Sequence, residues 1–323
     1  MQEKIEILDT DLMKQKDKLR LIEYWAGIVN FPMGWHYWLD FIWILNHLEQ
    51  INLAPGSWIM DAGAGNGILQ YILAAKGYNV ISLDFAEREF LPIAKRIFKM
   101  NKQEYIIDNP GHMYRNFINY KKKRFVLNRN KILKTVSHPV RPAKNIVKYF
   151  IYDILAPFIN LNIWKEFLKA GMIGKNYGKI VYARADFTNL NGFKDDSFDC
   201  IVSVSALEHN NHEEIGRAVD EFLRILKKPG YMFFTASAAK DKDWYFQPAR
   251  GWCFCEESLK KIFNLNEGLS NFVNYEELLK KLENSKEIKN RISRYYFGTA
   301  DCGLPYGIYK PKYQPVGIVK IKR

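Results

Sequence analysis

Cysteine is scarce in this chain, acid is outnumbered by base, and no long apolar run interrupts it. Four cysteines, Cys200, Cys253, Cys255 and Cys302, are too few and too unevenly spaced for a disulfide framework. Cys253-x-Cys255 lacks a second ligand pair, so zinc is not expected, nor any other metal. The richest apolar stretch, Tyr149 to Trp164, carries Asp153 and two asparagines and is too short to span a bilayer. Met1 to Arg20 is polar and charged, without the apolar segment of a secretory signal. These absences point to a reducing cytoplasm.

Acidic residues number 35 against 48 Lys and Arg, a net charge of +13. The imbalance is local. Between Ile97 and Ile180 there are 17 Lys and Arg against 4 Asp and Glu, which accounts for the whole surplus. That stretch reads as a functional module or a solvated insertion and not as a general property of the surface. What is plentiful is apolar and aromatic: 48% hydrophobic and 15% Phe, Trp and Tyr, enough for a substantial core.

The organisation follows from periodicity. Glu23 to Leu48 is dense in aromatics and predicts one or two helices broken near Pro32-Met33-Gly34. From Ser57, short apolar strands alternate with amphipathic helices. Strands are expected at Trp58–Met60, Asn79–Leu83, Lys179–Ala183, Phe198–Ser205 and Tyr231–Thr235. Helices are expected at Ile68–Lys76, Ala86–Lys99 and Glu213–Leu226. Arg291–Phe297 and Val316–Lys322 complete the expectation as last strands, after a helical excursion at Tyr275–Glu287. Such alternation predicts a doubly wound, Rossmann-like α/β fold with seven mostly parallel strands. The expected organisation is a helical N-terminal extension, residues 1–52, and a main domain, residues 53–99 and 179–323. A basic, partly helical insertion, residues 100–178, follows the second strand.

The chemistry concentrates at Ile59 to Gly67, between the first strand and its helix. Glycines there let the backbone turn sharply and let a ligand lie against main-chain amides. A dinucleotide loop, G-x-G-x-x-G, would need glycine where Ile68 stands, and no Gly-Lys-Ser/Thr follows for a nucleoside triphosphate. An acid, Asp61, ends the strand instead. A carboxylate there repels a diphosphate and suits a ligand carrying an ammonium and a sulfonium. Asp84, followed by Phe85, ends the second strand 17 residues past the last glycine, where a carboxylate can accept both hydroxyls of a ribose. Asp186 in Ala185-Asp186-Phe187 follows the third strand, where an adenine amino group could be met.

Together, D-A-G-A-G-N-G from Asp61, the strand-two acid, A-D-F, and Ser197 to His209 resemble the successive motifs of class I S-adenosylmethionine-dependent methyltransferases. Leu226-Lys227-Lys228-Pro229-Gly230-Tyr231 resembles a further one. The resemblance spans Ser57 to Ala239, interrupted by the basic insertion. It implies S-adenosylmethionine as cofactor. Asp61, Gly63, Ala64, Gly65 and Gly67 would surround its methionine part, and Asp84 with Phe85 its ribose. Asp186 with Phe187 would meet the adenine, and Ser205 and Ala206 would lie beside the transferring methyl.

A hydroxyl acceptor benefits from a general base. Glu208, His209 and His212 are the candidates, with His209 best placed at the C-terminal edge of the sheet. The alternative for His209 is a helix-entry residue that bonds the loop. In Gly34-Trp35-His36-Tyr37-Trp38, only His36 and Tyr37 read as polar contacts, because Trp38, Ile42 and Leu45 recur at core spacing. The insertion, basic from Tyr120 to Lys134 and amphipathic from Lys144 to Lys169, reads as an acceptor determinant. It would be a lid over an anionic small molecule or glycan, a contact with the inner face of a membrane, or an RNA-binding segment. The first two are favoured, since no separate RNA-binding domain is recognisable. A small-molecule, glycan or lipid-linked acceptor methylated on oxygen is therefore expected, with an RNA-binding methyltransferase that uses the basic insertion, or a non-catalytic cofactor binder, as the alternatives.

Overall fold

The computed structural model describes residues 1–29, 31–86, 88, 97–98, 101–104, 164–166, 168, 177–265, 267–293 and 309–323. The chain divides into two compact units, residues 1–106 with 176–323, and residues 107–175. Of the second unit only residues 164–166 and 168 are described, and these are helical. The basic run from Tyr120 to Lys134, most of Lys144–Lys169 and most of the helix expected at Ala86–Lys99 lie outside the described residues.

The first unit is organised on a sheet. Its strands are β1 (Lys4–Ile7), β2 (Trp58–Ala62), β3 (Asn79–Asp84), β4 (Asn101–Glu104), β5 (Ile180–Arg184) and β6 (Phe198–Val204). They continue with β7 (Leu226–Ala238), β8 (Trp244–Phe246), β9 (Gly251–Phe254), β10 (Leu269–Ser270) and β11 (Gln314–Lys322). Helices are α1 (Lys16–Val29), α2 (Tyr37–Ile51), α3 (Leu69–Ala75), α4 (His212–Ile225), α5 (Glu256–Phe263), α6 (Tyr275–Glu283) and α7 (Lys286–Arg291).

The strand order is β10-β1-β11-β7-β6-β2-β3-β5-β4, with β8 and β9 branching from β7. Strand β2 lies parallel between β6 and β3, so the chain order reverses there. β11 runs antiparallel to β7, and β1 antiparallel to β11. This is a mostly parallel, Rossmann-like α/β sheet. The five predicted central strands are present: β2, β3 and β7 are longer than expected, β5 is shifted by one residue and β6 is one residue shorter.

Three expectations need correction. The described sheet has eleven strands, not seven, because β4, β8, β9 and β10 are too short to leave a periodic signal. Arg291 ends a helix, and Ile292 and Ser293 are not in a strand, while 294–297 lie outside the described residues. The Ser285 hydroxyl caps α7 by accepting from the Ile288 N–H, and Glu287 pairs with Arg291 one turn on. The place beside β11 is taken from the other end of the chain. Residues 1–52 are thus not purely helical: in β1, Ile5 and Ile7 point into the core at 1% exposure while Lys4 and Glu6 pair on the other face.

Strand residues alternate between two helical layers. Met60, Ala62, Ile81, Leu83, Ile201 and Phe234 pack with Ile215 and Phe222 of α4 and Leu259 of α5. α4 starts on a capping box, Asn211 accepting from the Glu214 N–H and Glu214 from that of Asn211. On the opposite face α2 is buried almost all round, including Trp38, Ile42 and Leu45, and ends at Asn52 in the left-handed region. Its Trp43 donates to Glu6 of β1 at 2.9 Å and meets Phe233 of β7 edge-on.

Gly317 of β11 lets that indole lie flat on the sheet. A Cβ there would come within 2.3 Å of Trp43 Cε2. Gly317→Ala should therefore destabilise by about 1–3 kcal/mol, the usual cost of overpacking. Thermal unfolding should show a loss on the order of 5 °C; an unchanged midpoint would mean the ring is not fixed by this contact.

Candidate functional site

The glycine loop leaves the C-terminal end of β2 at the point where the strand order reverses, the usual ligand position in open α/β sheets. Gly63 has φ +73° and Gly65 φ +48°. A Cβ on Gly63 would stand 2.4 Å from the Ala206 Cβ, so the loop lies directly against the end of β6. The N–H groups of Gly63 and Ala64 both donate to the Leu83 carbonyl at 2.9 Å. That of Gly67 donates back to Ala64 at 2.9 Å.

Two acids flank the loop. Asp84 accepts from the Gly65 N–H at 2.8 Å through Oδ2 and from the Ala86 N–H at 2.8 Å through Oδ1. Each carboxylate oxygen keeps a second acceptor position, so two ribose hydroxyls can still be bound. Asp61 is 2% exposed. Burial pushes its carboxyl up to about 7, with Arg88 pulling it down and Asp84 pushing it further up.

Beneath the loop lies a polar chain that sequence reasoning missed. Arg88 donates to the Gly65 carbonyl at 2.5 Å, to Ser82 Oγ at 2.9 Å and to the Ser82 carbonyl at 2.7 Å. Its guanidinium sits 4.6 Å from the centre of the Tyr182 ring. Ser82 Oγ donates to Gln70 Oε1 at 2.6 Å, and Gln70 Nε2 donates to the Gly67 carbonyl at 2.8 Å. Loop carbonyls are thereby held from α3, β3 and the segment after it. Ser82 stands directly beside Asp61 in the β2–β3 register, which was the available signal for a buried polar site.

The remaining predicted residues fall around this centre. Asp186 Oδ1 accepts from the Thr188 N–H and hydroxyl, both at 2.8 Å, and caps its own turn. Phe187 is 6% exposed, packs on Phe222, and brings Cε1 to 3.8 Å from the Cβ position of Gly63. Phe85 is half-buried and its carbonyl accepts from Arg184 Nε. Ser205 adopts φ +48°, and its hydroxyl donates to Glu208 Oε1 at 2.5 Å.

A cavity of 420 Å³ opens at the tip of the loop. Asn66, Ser205, Glu208 and His209 line it on one side, and His36, Tyr37, Cys253 and Tyr313 contribute elsewhere. Asp61 and Asp84 do not line it, so the cavity is a chamber beside the glycine loop and distinct from the cradle itself. Glu208 is 2% exposed and burial pushes its carboxyl up. His209 is exposed and its Nδ1 donates to the Arg250 carbonyl at 2.9 Å. His212 does not line the chamber; its Nε2 lies 2.5 Å from Asp243, on the β8–β9 arm.

Residues 143–234 match the family model described as a methyltransferase domain. The match takes in β5, β6 and most of β7, under a third of the chain, and starts within the insertion. The glycine loop lies before it in sequence, but β2 pairs directly with β6. The sheet thus joins in space what the insertion separates along the chain. No significant match to a curated protein's sequence was found.

Among solved structures, an S-adenosylmethionine-dependent methyltransferase from Methanosarcina mazei is 15% identical, with TM-score 0.39 over 85% of this chain and 96% of that one. The [4+2]-cyclase SpnF is 13% identical, with TM-score 0.46 over 99% and 98%. A geranyl diphosphate C-methyltransferase from Streptomyces coelicolor A3(2) is 10% identical, with TM-score 0.38 over 87% and 74%. With all three scores below 0.5, the fold assignment rests on the strand order and not on these likenesses.

Burial of Asp61 has a cost that depends on pH. Its folded-state pKa is raised, so the folded protein keeps the proton to higher pH than the unfolded chain does. The associated stability is complete below about pH 4 and is lost as pH rises through about 7. Asp61→Asn should remove that loss, with Asp84 left to balance Arg88. Its stability advantage over the native protein should grow across this interval and level off on the order of 4 kcal/mol. Thermal unfolding of both proteins from pH 4 to pH 8 measures it; an advantage independent of pH would contradict the assignment.

Proposed function

We propose that this protein is an S-adenosylmethionine-dependent methyltransferase whose acceptor occupies the chamber beside the glycine loop. One observation carries the reading: two buried acids, Asp61 and Asp84, flank a glycine loop at the sheet's switch point, and a chamber starts at that loop's tip.

The residues fit the cofactor. Gly63 touches the end of β6 so closely that any side chain would collide with Ala206 and push the loop away. Asp61 is a buried carboxyl balanced, among the described residues, by Arg88 and opposed by Asp84, suited to the ammonium of an amino-acid moiety and unsuited to a diphosphate. Asp84 would take the ribose, and Asp186 and Phe187 would lie toward the adenine. When bound, the cofactor would supply an electrophilic methyl carbon on a sulfonium. This chain's own residues bind and orient it, and the aromatic walls of the chamber limit water around a transfer governed by alignment.

The acceptor is proposed to be a small molecule, a glycan or a lipid-linked compound carrying a hydroxyl. The mixed polar and aromatic wall, with Tyr37, Phe246 and Tyr313 beside Glu208 and two histidines, supports a ring that bears hydroxyl groups. An anionic acceptor or a membrane surface would be served by the basic segment. Among the described residues no helix is long and apolar enough to cross a membrane. A cytoplasmic location, with peripheral membrane contact, belongs to the same proposal.

Calorimetry tests the cofactor directly. S-adenosylmethionine and S-adenosylhomocysteine should each bind at one site per chain, while a dinucleotide should not. Affinity should fall as pH drops below about 7, because Asp61 must release its proton to meet the ammonium. A folded protein that binds neither compound would overturn the proposal.

A further inference from the structure

Among the described residues that line the chamber, Glu208 carries a buried oxygen that the fold leaves without a partner. It stands in a single 3-10 turn, Leu207–His209, just after β6, and is 2% exposed. Its Oε1 accepts from the Ser205 hydroxyl at 2.5 Å, while Oε2 has no hydrogen-bond partner among the described residues. The β8–β9 arm presses on its stem. A Cβ on Gly251 would come within 3.0 Å of Glu208 Cγ, and the neighbouring His209 Nδ1 is tied to the Arg250 carbonyl at 2.9 Å.

The carboxyl group lies among groups of the chamber wall. Burial pushes it up, while His209, the Ser205 hydroxyl and His36 pull it down. The Cys253 thiol is pushed up by burial and then by Glu208. Ser205, His36, His209 and Cys253 all line the chamber.

A buried oxygen without a partner destabilises the empty protein. In a chamber wall, a ligand can supply the missing partner. We propose that Glu208 selects the acceptor by holding one of its hydroxyl groups at Oε2. This rests on the methyltransferase reading of the same site. A hydroxyl is favoured over other polar groups for a chemical reason. An ionised Oε2 accepts a hydrogen bond, and a protonated one donates it. A hydroxyl satisfies both forms, whereas an ammonium can only donate and an ether can only accept. Recognition therefore does not depend on which form the buried carboxyl takes.

The rest of the wall agrees with such a ligand. Phe31, Tyr37, Phe246 and Tyr313 supply apolar surface for a carbon skeleton. Ser205 shares the carboxyl, so the held hydroxyl lies close to the end of β6. The substrate class is then a polyhydroxylated ring or chain, held through one hydroxyl and presenting another to the methyl.

Two variants separate the polar atom from the shape of the side chain. Glu208→Met has nearly the same length and no polar oxygen, whereas Glu208→Gln keeps both polar positions. The first measurement is thermal unfolding of the full chain without ligand. Glu208→Met removes the unpartnered oxygen along with the bond to Ser205, so its midpoint should stay within about 2 °C of the native one or exceed it. A loss on the order of 5 °C or more would mean that the carboxyl serves to hold the turn together, and would overturn the proposal.

The second is calorimetry with S-adenosylhomocysteine bound, using catechol and ortho-xylene, which share a shape and differ in their hydroxyls. Catechol affinity should fall at least about tenfold in Glu208→Met and less than about threefold in Glu208→Gln. Ortho-xylene should bind Glu208→Met no more weakly than the native chain. S-adenosylhomocysteine should bind the native chain and both variants within about threefold of one another. Catechol that fails to bind the native chain, or binds Glu208→Met equally well, overturns the proposal. So does a loss of S-adenosylhomocysteine affinity that matches the loss for catechol. A native chain that binds no S-adenosylhomocysteine would instead sink the methyltransferase reading, a distinct outcome.

Discussion

Asp61 is a carboxyl group almost cut off from water at the end of the central strand, and much of the surrounding structure answers to it. A buried acid is costly unless its charge is balanced or its proton retained. Here Arg88 supplies the nearby positive charge, while Asp84 opposes it from the neighbouring strand. The same guanidinium is pinned by Ser82 and the Gly65 carbonyl, and Ser82 continues to Gln70 and the Gly67 carbonyl. The glycine loop is thus held from behind by hydrogen bonds. Its front can then lie against the end of β6, where Ala206 leaves no room for a side chain on Gly63.

That arrangement joins fold to function. Strand β2 leads into the loop, β3 delivers Asp84, and β6 delivers Ser205 and Glu208, all at one edge of one sheet. The first turn of α2 brings His36 and Asp40 to the same place, and the buried rings of that helix fix it on β7 and β11. Burial of Asp61 costs stability as pH rises through about 7, the kind of trade between stability and activity that the proposed site would entail.

The centre of the fold was legible because short apolar strands alternate with helices of period 3.6, and because Asp61, Asp84 and the glycines stand at strand ends. The periphery was not. Lys4–Ile7 is only four residues, and its partners lie more than 260 positions away, so nothing local marks it as a strand. Arg291 looked like the start of an apolar strand, but the serine cap at 285 and the ion pair to Glu287 make it the end of a helix. Arg88 sits in the polar run Ala86-Glu87-Arg88-Glu89, where arginine ordinarily faces solvent. Its burial comes from long-range contacts that composition does not reveal. His36 was read as a polar contact, and its partner Asp40 could have been found as well: a spacing of four on an otherwise apolar helix face is unusual for core residues.

The most direct measurement is a crystal structure of the complex with S-adenosylhomocysteine. The account predicts density along the glycine loop, with the ribose hydroxyls on Asp84, the ammonium end toward Asp61, and the sulfur opening onto the chamber that His36 and Ser205 line. A ligand bound elsewhere, or one that leaves Asp84 without a ribose contact, would contradict it.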